Sequence, residues 1–110
     1  MIDWQRVNVL REEVGAEDFD EVVDLFLEEV ESVVERLRTA PDMATLEEDL
    51  HFLKGSALSL GFTSFSAQCQ TGETLSADGK SETVDVTAIL TSYDTSRQLF
   101  LAELPTALAG

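Results

Sequence analysis

Apolar residues in this chain recur at intervals of three and four, and they do not alternate with polar ones over any run long enough to make a strand. In AEDFDEVVDLFLEEVESVVERLR, the positions Phe19, Val23, Phe26, Val30, Val33 and Leu37 step by four and three along one stripe of a helix. Asp18 and Glu21 stand where an N-cap and its reciprocal partner belong. After Pro41 and Asp42 a second stripe follows, Met43, Leu46, Leu50, Leu53, Ala57 and Leu60, up to Gly61, a residue suited to closing a helix. Trp4, Val7, Leu10 and Val14 outline a shorter helix, capped by Asp3 and ended by Gly15. Ser64 to about Ala77 carries a weaker face of Phe65, Cys69, Gly72 and Leu75, before the loop-like SADGKSE. There Gly72 costs about 1 kcal/mol of helix stability against alanine. Val86, Ile89 or Leu90, Tyr93, Arg97, Phe100 and Leu104 outline a last helix that Pro105 is expected to stop. The expected fold is all-α: an up-and-down antiparallel four-helix bundle with a short additional N-terminal helix.

At 110 residues and 44% hydrophobic, the chain supports one core, so residues 1–110 are expected to form a single domain. No internal repeat or low-complexity tract interrupts it. The formal charge is −15, and the seven Lys and Arg residues form no basic stripe, which argues against nucleic acid or an anionic membrane as partner. No apolar run is long enough to span a bilayer, and MIDWQRV lacks the regions of a signal peptide. A soluble, cytoplasmic, monomeric protein is expected, and helices at both ends favour a free-standing one. Cys69, without a second cysteine, reads as a small buried apolar residue.

The segment HFLKGSALSLGF contains the only histidine, His51. At about 100 degrees per residue, it falls roughly 130 degrees from the stripe of its own helix, facing solvent among Glu47, Glu48, Lys54, Gly55 and, a further turn on, Leu58. A lone outward histidine is often an ordinary surface residue. Gly55 argues for more, because it too lies far from the core direction, where alanine would be better by about 0.8 to 1 kcal/mol. A glycine there leaves the imidazole clear of neighbours. Lys54, one turn from the imidazole, is placed to meet an anion brought to it; its plainer reading is a helix-surface pair with Asp49 or Glu47.

His51, Leu53, Lys54, Gly55, Ser56, Leu60 and Gly61, followed by Cys69 and Glu73, resemble the signature of histidine-containing phosphotransfer (HPt) domains. The resemblance covers the helical layout of nearly the whole chain and is sharpest from His51 to Glu73. Departures are Phe62 where the family usually has a small residue, Phe65 where leucine is common, and Gly72 where leucine usually precedes the glutamate.

The resemblance implies that His51 accepts a phosphoryl group from a receiver-domain aspartate and passes it to another, through the ring nitrogen remote from the main chain, without kinase activity of its own. It implies no bound cofactor, Mg²⁺ being supplied by the receiver, and as partners the receiver domains of response regulators or hybrid histidine kinases. The chemistry agrees: an imidazole near pH 7 offers a nucleophilic nitrogen, and phosphoryl transfer needs mainly in-line positioning and charge neutralisation. Lys54 would neutralise phosphoryl oxygens and Gly55 would give steric clearance. Docking is expected on the histidine face, over Ala44, Glu47, Glu48 and Leu58, with Leu25 of the preceding helix, about 120 degrees from its own stripe.

Other chemistries fit worse. Lys54 precedes Gly55, the reverse of a nucleotide-binding loop. ALSLG around Ser59 lacks the strand and later histidine of a nucleophile elbow. Glu48 and His51 make one Glu-x-x-His pair, on an outward face, so no metal site is expected. The alternative is a helical module that docks receivers or kinases without carrying phosphate.

Overall fold

The apolar stripes become five α-helices in a computed structural model that describes residues 2–107. These are α1 (Trp4–Val14), α2 (Phe19–Thr39), α3 (Leu46–Leu60), α4 (Thr63–Ala77) and α5 (Val86–Ala107), with one 3₁₀ turn, Ser81–Thr83, ahead of α5. Among the described residues there is no strand, only an isolated bridge between Ile2 and Phe62.

Asp3 caps α1 as its position implies, its carboxylate accepting the backbone N–H of Arg6 at 3.2 Å. Asp18 makes no such bond, so the expected reciprocal cap of α2 is absent. α3 starts later than its apolar stripe, because the Asp42 carboxylate takes the Ala44 N–H at 2.9 Å and holds a turn there. Met43 therefore lies outside the helix and is 42% exposed, not part of the core. Gly61 ends α3 in the left-handed region, φ 73°, with Phe62 N–H reaching back to Ala57 O. Pro105 does not stop α5, which runs two residues further. Proline's fixed φ is itself helical, so in the last described turn it forfeits little beyond one backbone bond.

The core takes Leu46, Leu50, Leu53, Ala57 and Leu60 from α3 and Phe65 and Cys69 from α4, with Ile89, Tyr93 and Phe100 from α5. Fully burying a Leu or Phe contributes about 1.5 to 3 kcal/mol. In α2 the buried set is Phe19, Val23, Leu27, Val30, Val34 and Leu37. Phe26 and Val33, expected on that stripe, are only partly buried at its edge.

Side-chain pairings show how neighbouring helices run. Phe65 meets Tyr93 at 5.2 Å between ring centroids, while Gly72, further along α4, faces Ile89, earlier on α5. Glu31 pairs with Arg97 and Arg38 with Asp94. Each pairing is that of antiparallel neighbours. Phe62 is buried against Phe100 at 5.4 Å and Tyr93 at 6.4 Å, so its bulk is absorbed by an aromatic cluster.

Gly72 shows why α4 lies so close to α3. A Cβ there would come within 2.7 Å of Leu50 Cδ1 and 3.2 Å of Ile89 Cδ1 and Val84 Cγ1. The volume glycine gives up is filled by the core side chains Leu50 and Ile89 and by the partly buried Val84, which offsets its helix-propensity cost.

α1 is fastened across the α3–α4 turn. Asp3 N–H donates to Gly61 O at 2.7 Å, and Trp4 stacks on Phe100 at 5.5 Å with 13° between ring planes. A side chain at Gly61 would meet Asp3 O, so glycine serves both the helix cap and this contact.

Candidate functional site

Leu50 and Leu53, both fully buried, fix the rotation of α3 and turn the intervening His51 outward, its side chain 70% exposed. α4 supplies its partner. His51 Nδ1 lies 2.8 Å from Glu73 Oε2, and Glu73 follows the glycine that lets α4 approach. An ionised carboxylate only accepts hydrogen bonds, so Nδ1 carries the proton and donates it. In the neutral ring the lone pair then belongs to Nε2, the nitrogen remote from the main chain.

Glu73 is held ionised. The Lys54 ammonium at its other oxygen, 2.8 Å away, holds the carboxyl below the usual range, opposed by partial burial and reinforced by His51. Lys54 is in turn held on its far side, donating to Gln70 Oε1 at 3.0 Å, and Gln70 donates to Thr74 Oγ1 at 3.1 Å. The helix-surface pair of Lys54 with Asp49 or Glu47 does not form. Asp49 turns inward, 8% exposed, and accepts both ends of the Arg36 guanidinium at 2.8 Å. This bidentate pair ties α2 to α3 just ahead of His51.

The structure thus brings His51, Lys54, Glu73 and Gln70 together, and places the other sequence-expected residues around them. Gly55 is exposed, and a Cβ built on it meets nothing within 4 Å. Glu47 and Glu48 are exposed in the first turn of α3, and Ala44 is exposed in the turn before it. Leu58 and Leu25 are 54% and 53% exposed. Phe52, beside the histidine and 38% exposed, adds apolar surface that the stripe pattern does not mark.

Gln70 was not singled out by the sequence, and Glu73 only within the family signature. A signal for both exists: Gln70 and Glu73 stand three apart, as His51 and Lys54 do, and an antiparallel α3–α4 hairpin matches 51 with 73 and 54 with 70. Cys69, on the buried face of α4, is fully enclosed. Burial, then the charge of Glu73, pushes its thiol up to about 12, so it is no nucleophile. Among the described residues no group of His, Cys, Asp or Glu converges in a way that could hold a metal ion.

These features define a helical scaffold that presents one exposed imidazole to solvent, oriented by a carboxylate on Nδ1. The sequence model of the Hpt domain matches residues 21–108, and the chain belongs to the Hpt domain family. Its members are phosphocarriers of two-component phosphorelays rather than kinases, and they work with receiver and kinase partners. No curated protein and no solved structure matches the chain. Among the described residues no helix is long and apolar enough to cross a membrane. α1 precedes the matched span.

Proposed function

We propose that His51 Nε2 accepts a phosphoryl group from a receiver aspartate and passes it to another receiver aspartate. The Nε2 lone pair attacks phosphorus in line, the bond from phosphorus to the aspartyl oxygen breaks, and the carboxylate leaves with its electron pair; the onward step runs the same chemistry in reverse. The ring, still protonated at Nδ1, becomes cationic as the new bond forms. Glu73, 2.8 Å from Nδ1, stabilises that charge where it develops. Lys54, released from Gln70, neutralises phosphoryl oxygens, and Gly55 leaves the approach open. Mg²⁺ comes with the receiver, and this chain holds no cofactor of its own.

The single observation that carries this reading is the Glu73 carboxylate on Nδ1 of an exposed imidazole. A docking module without chemistry has no use for a ring fixed in that tautomer. The same reading takes residues 1–110 as one unit, an up-and-down four-helix bundle with α1 packed across one end, acting as a cytoplasmic monomer. Ala44, Glu47, Glu48, Leu58 and Leu25 frame the surface a receiver covers.

The test uses receiver domains phosphorylated with acetyl phosphate and Mg²⁺, mixed with wild type and His51→Gln. One phosphate, lost in acid and kept in alkali, is expected on wild type and none on the variant. Label persisting in His51→Gln would sink the assignment.

A further inference from the structure

An open cleft of about 350 Å³ lies where α1 crosses the end of α3, lined by Asp3, Arg6, Ala57, Leu58, Gly61 and Thr63. Leu58 stands seven residues beyond His51 on the same face of α3, about 10.5 Å along the helix axis. A protein interface of ordinary size covers about 800 Å² per partner, a patch of roughly 16 Å radius. A receiver centred on His51 therefore covers this cleft.

Arg6 gives the cleft its chemistry. Of the seven Lys and Arg residues, Arg36, Arg38, Lys54 and Arg97 are held in ion pairs. Arg6 is a half-buried residue, and among the described residues its guanidinium has no hydrogen bond or ion pair. The neighbouring Asp3 carboxylate is engaged by the backbone N–H of Arg6 as the helix cap. An unpaired cation over an apolar floor, in a chain of formal charge −15, fits an apolar side chain flanked by a carboxylate.

We infer that this cleft is a specificity pocket for the phosphorelay partner, taking an apolar side chain of the receiver while Arg6 pairs with an adjacent Asp or Glu of that receiver. The inference rests on the His51 phosphotransfer reading and extends it. Arg6 lies outside residues 21–108 matched by the family, so the pocket distinguishes this chain's partner choice from the chemistry the family shares.

The experiment measures transfer from a panel of receiver domains, each charged with acetyl phosphate, to wild type, Arg6→Glu, Arg6→Lys and Arg11→Glu. Arg11→Glu makes the same change in net charge on α1, at a different cleft lined by Asn8, Glu12, Gly15 and Ala16. Arg6→Glu is expected to raise KM for the receivers wild type uses by tenfold or more, with little change in the rate at saturation. Arg6→Lys keeps most of the affinity, and Arg11→Glu behaves as wild type. Thermal melts of each variant confirm that it is folded.

Unchanged KM in Arg6→Glu, or an equal rise in Arg11→Glu, overturns the pocket. Phosphoramidate, which phosphorylates an exposed imidazole without any docking partner, separates the two levels. If it fails to label wild type at His51, the phosphotransfer reading is wrong and the pocket falls with it. If it labels wild type while Arg6→Glu keeps a normal KM, only the pocket is wrong.

Discussion

Gly55→Leu should make this protein more stable and less active at once. The position is exposed in the middle of α3, and a side chain there begins in open space. Replacing a helix-interior glycine with a good helix former gains about 0.8 to 1 kcal/mol, partly by restricting the unfolded chain. For a domain of this size that raises the melting temperature by about 3 to 4 °C. The same side chain would stand one turn from His51, with about 5 to 6 Å between Cβ atoms, on the face a receiver must approach. Displacing reacting groups by about 1 Å can cost 10²-fold, so transfer should fall by about that factor. Gly72→Ala provides the contrast: its Cβ would press on Leu50 Cδ1 at 2.7 Å in the core. Overpacking of about 1 to 3 kcal/mol outweighs the propensity gain there, and that variant should melt lower. Circular dichroism melts and stopped-flow transfer measure both effects. A lower melting temperature for Gly55→Leu would mean that residue 55 packs against another element. Normal transfer by a stable Gly55→Leu would refute steric clearance.

Glu73 is held ionised in the fold, so its folded pKa lies below its unfolded value near 4.5 and the unfolded chain binds the extra proton on acidification. Its contribution to stability is complete above that value and is lost as pH falls through the folded pKa. Melts of Glu73→Gln should therefore lose less stability than wild type between neutral pH and pH of about 3; equal losses would contradict the Lys54–Glu73–His51 arrangement. Asp49→Ala should lower the melting temperature clearly more than Asp94→Ala, because the Asp49 side chain is 10% exposed and that of Asp94 is 51% exposed. Equal melts would argue against the inward-turned Arg36–Asp49 pair. Cys69 should resist Ellman's reagent in the native protein at pH 8 and react at once in denaturant, since its thiol is enclosed and shifted up to about 12; rapid native labelling would place it at the surface.

Most of the helical layout is legible in the sequence because each helix carries its own periodicity and punctuation. α1 and α4 fall within a residue of their sequence-expected bounds, and Gly61 caps α3 in the conformation that only glycine adopts cheaply. The outward direction of His51 follows from the same periodicity. In α2, by contrast, Phe26 and Leu27 are adjacent, as are Val33 and Val34, and either member of each pair continues a step of three or four. The choice of Leu27 and Val34 for the core is made by the packing of neighbouring helices, which no single helix encodes.

The same limit hides much of the site. Lys54 turns to Glu73 and Gln70 because the α3–α4 hairpin brings them there, and Asp49 turns to Arg36 because α2 lies beside it. Helix-to-helix register depends on turn geometry such as the Asp42 turn, whose effect on the start of α3 is local but whose consequence is not.

The most direct test of the account is to locate the phosphate on the imidazole. His51, labelled with ¹⁵N and phosphorylated by a receiver domain, should show phosphorus coupling to Nε2, with a proton retained on Nδ1 in the free protein and in the product. Phosphorus coupled to Nδ1, or a free protein whose proton resides on Nε2, would contradict the role given to Glu73.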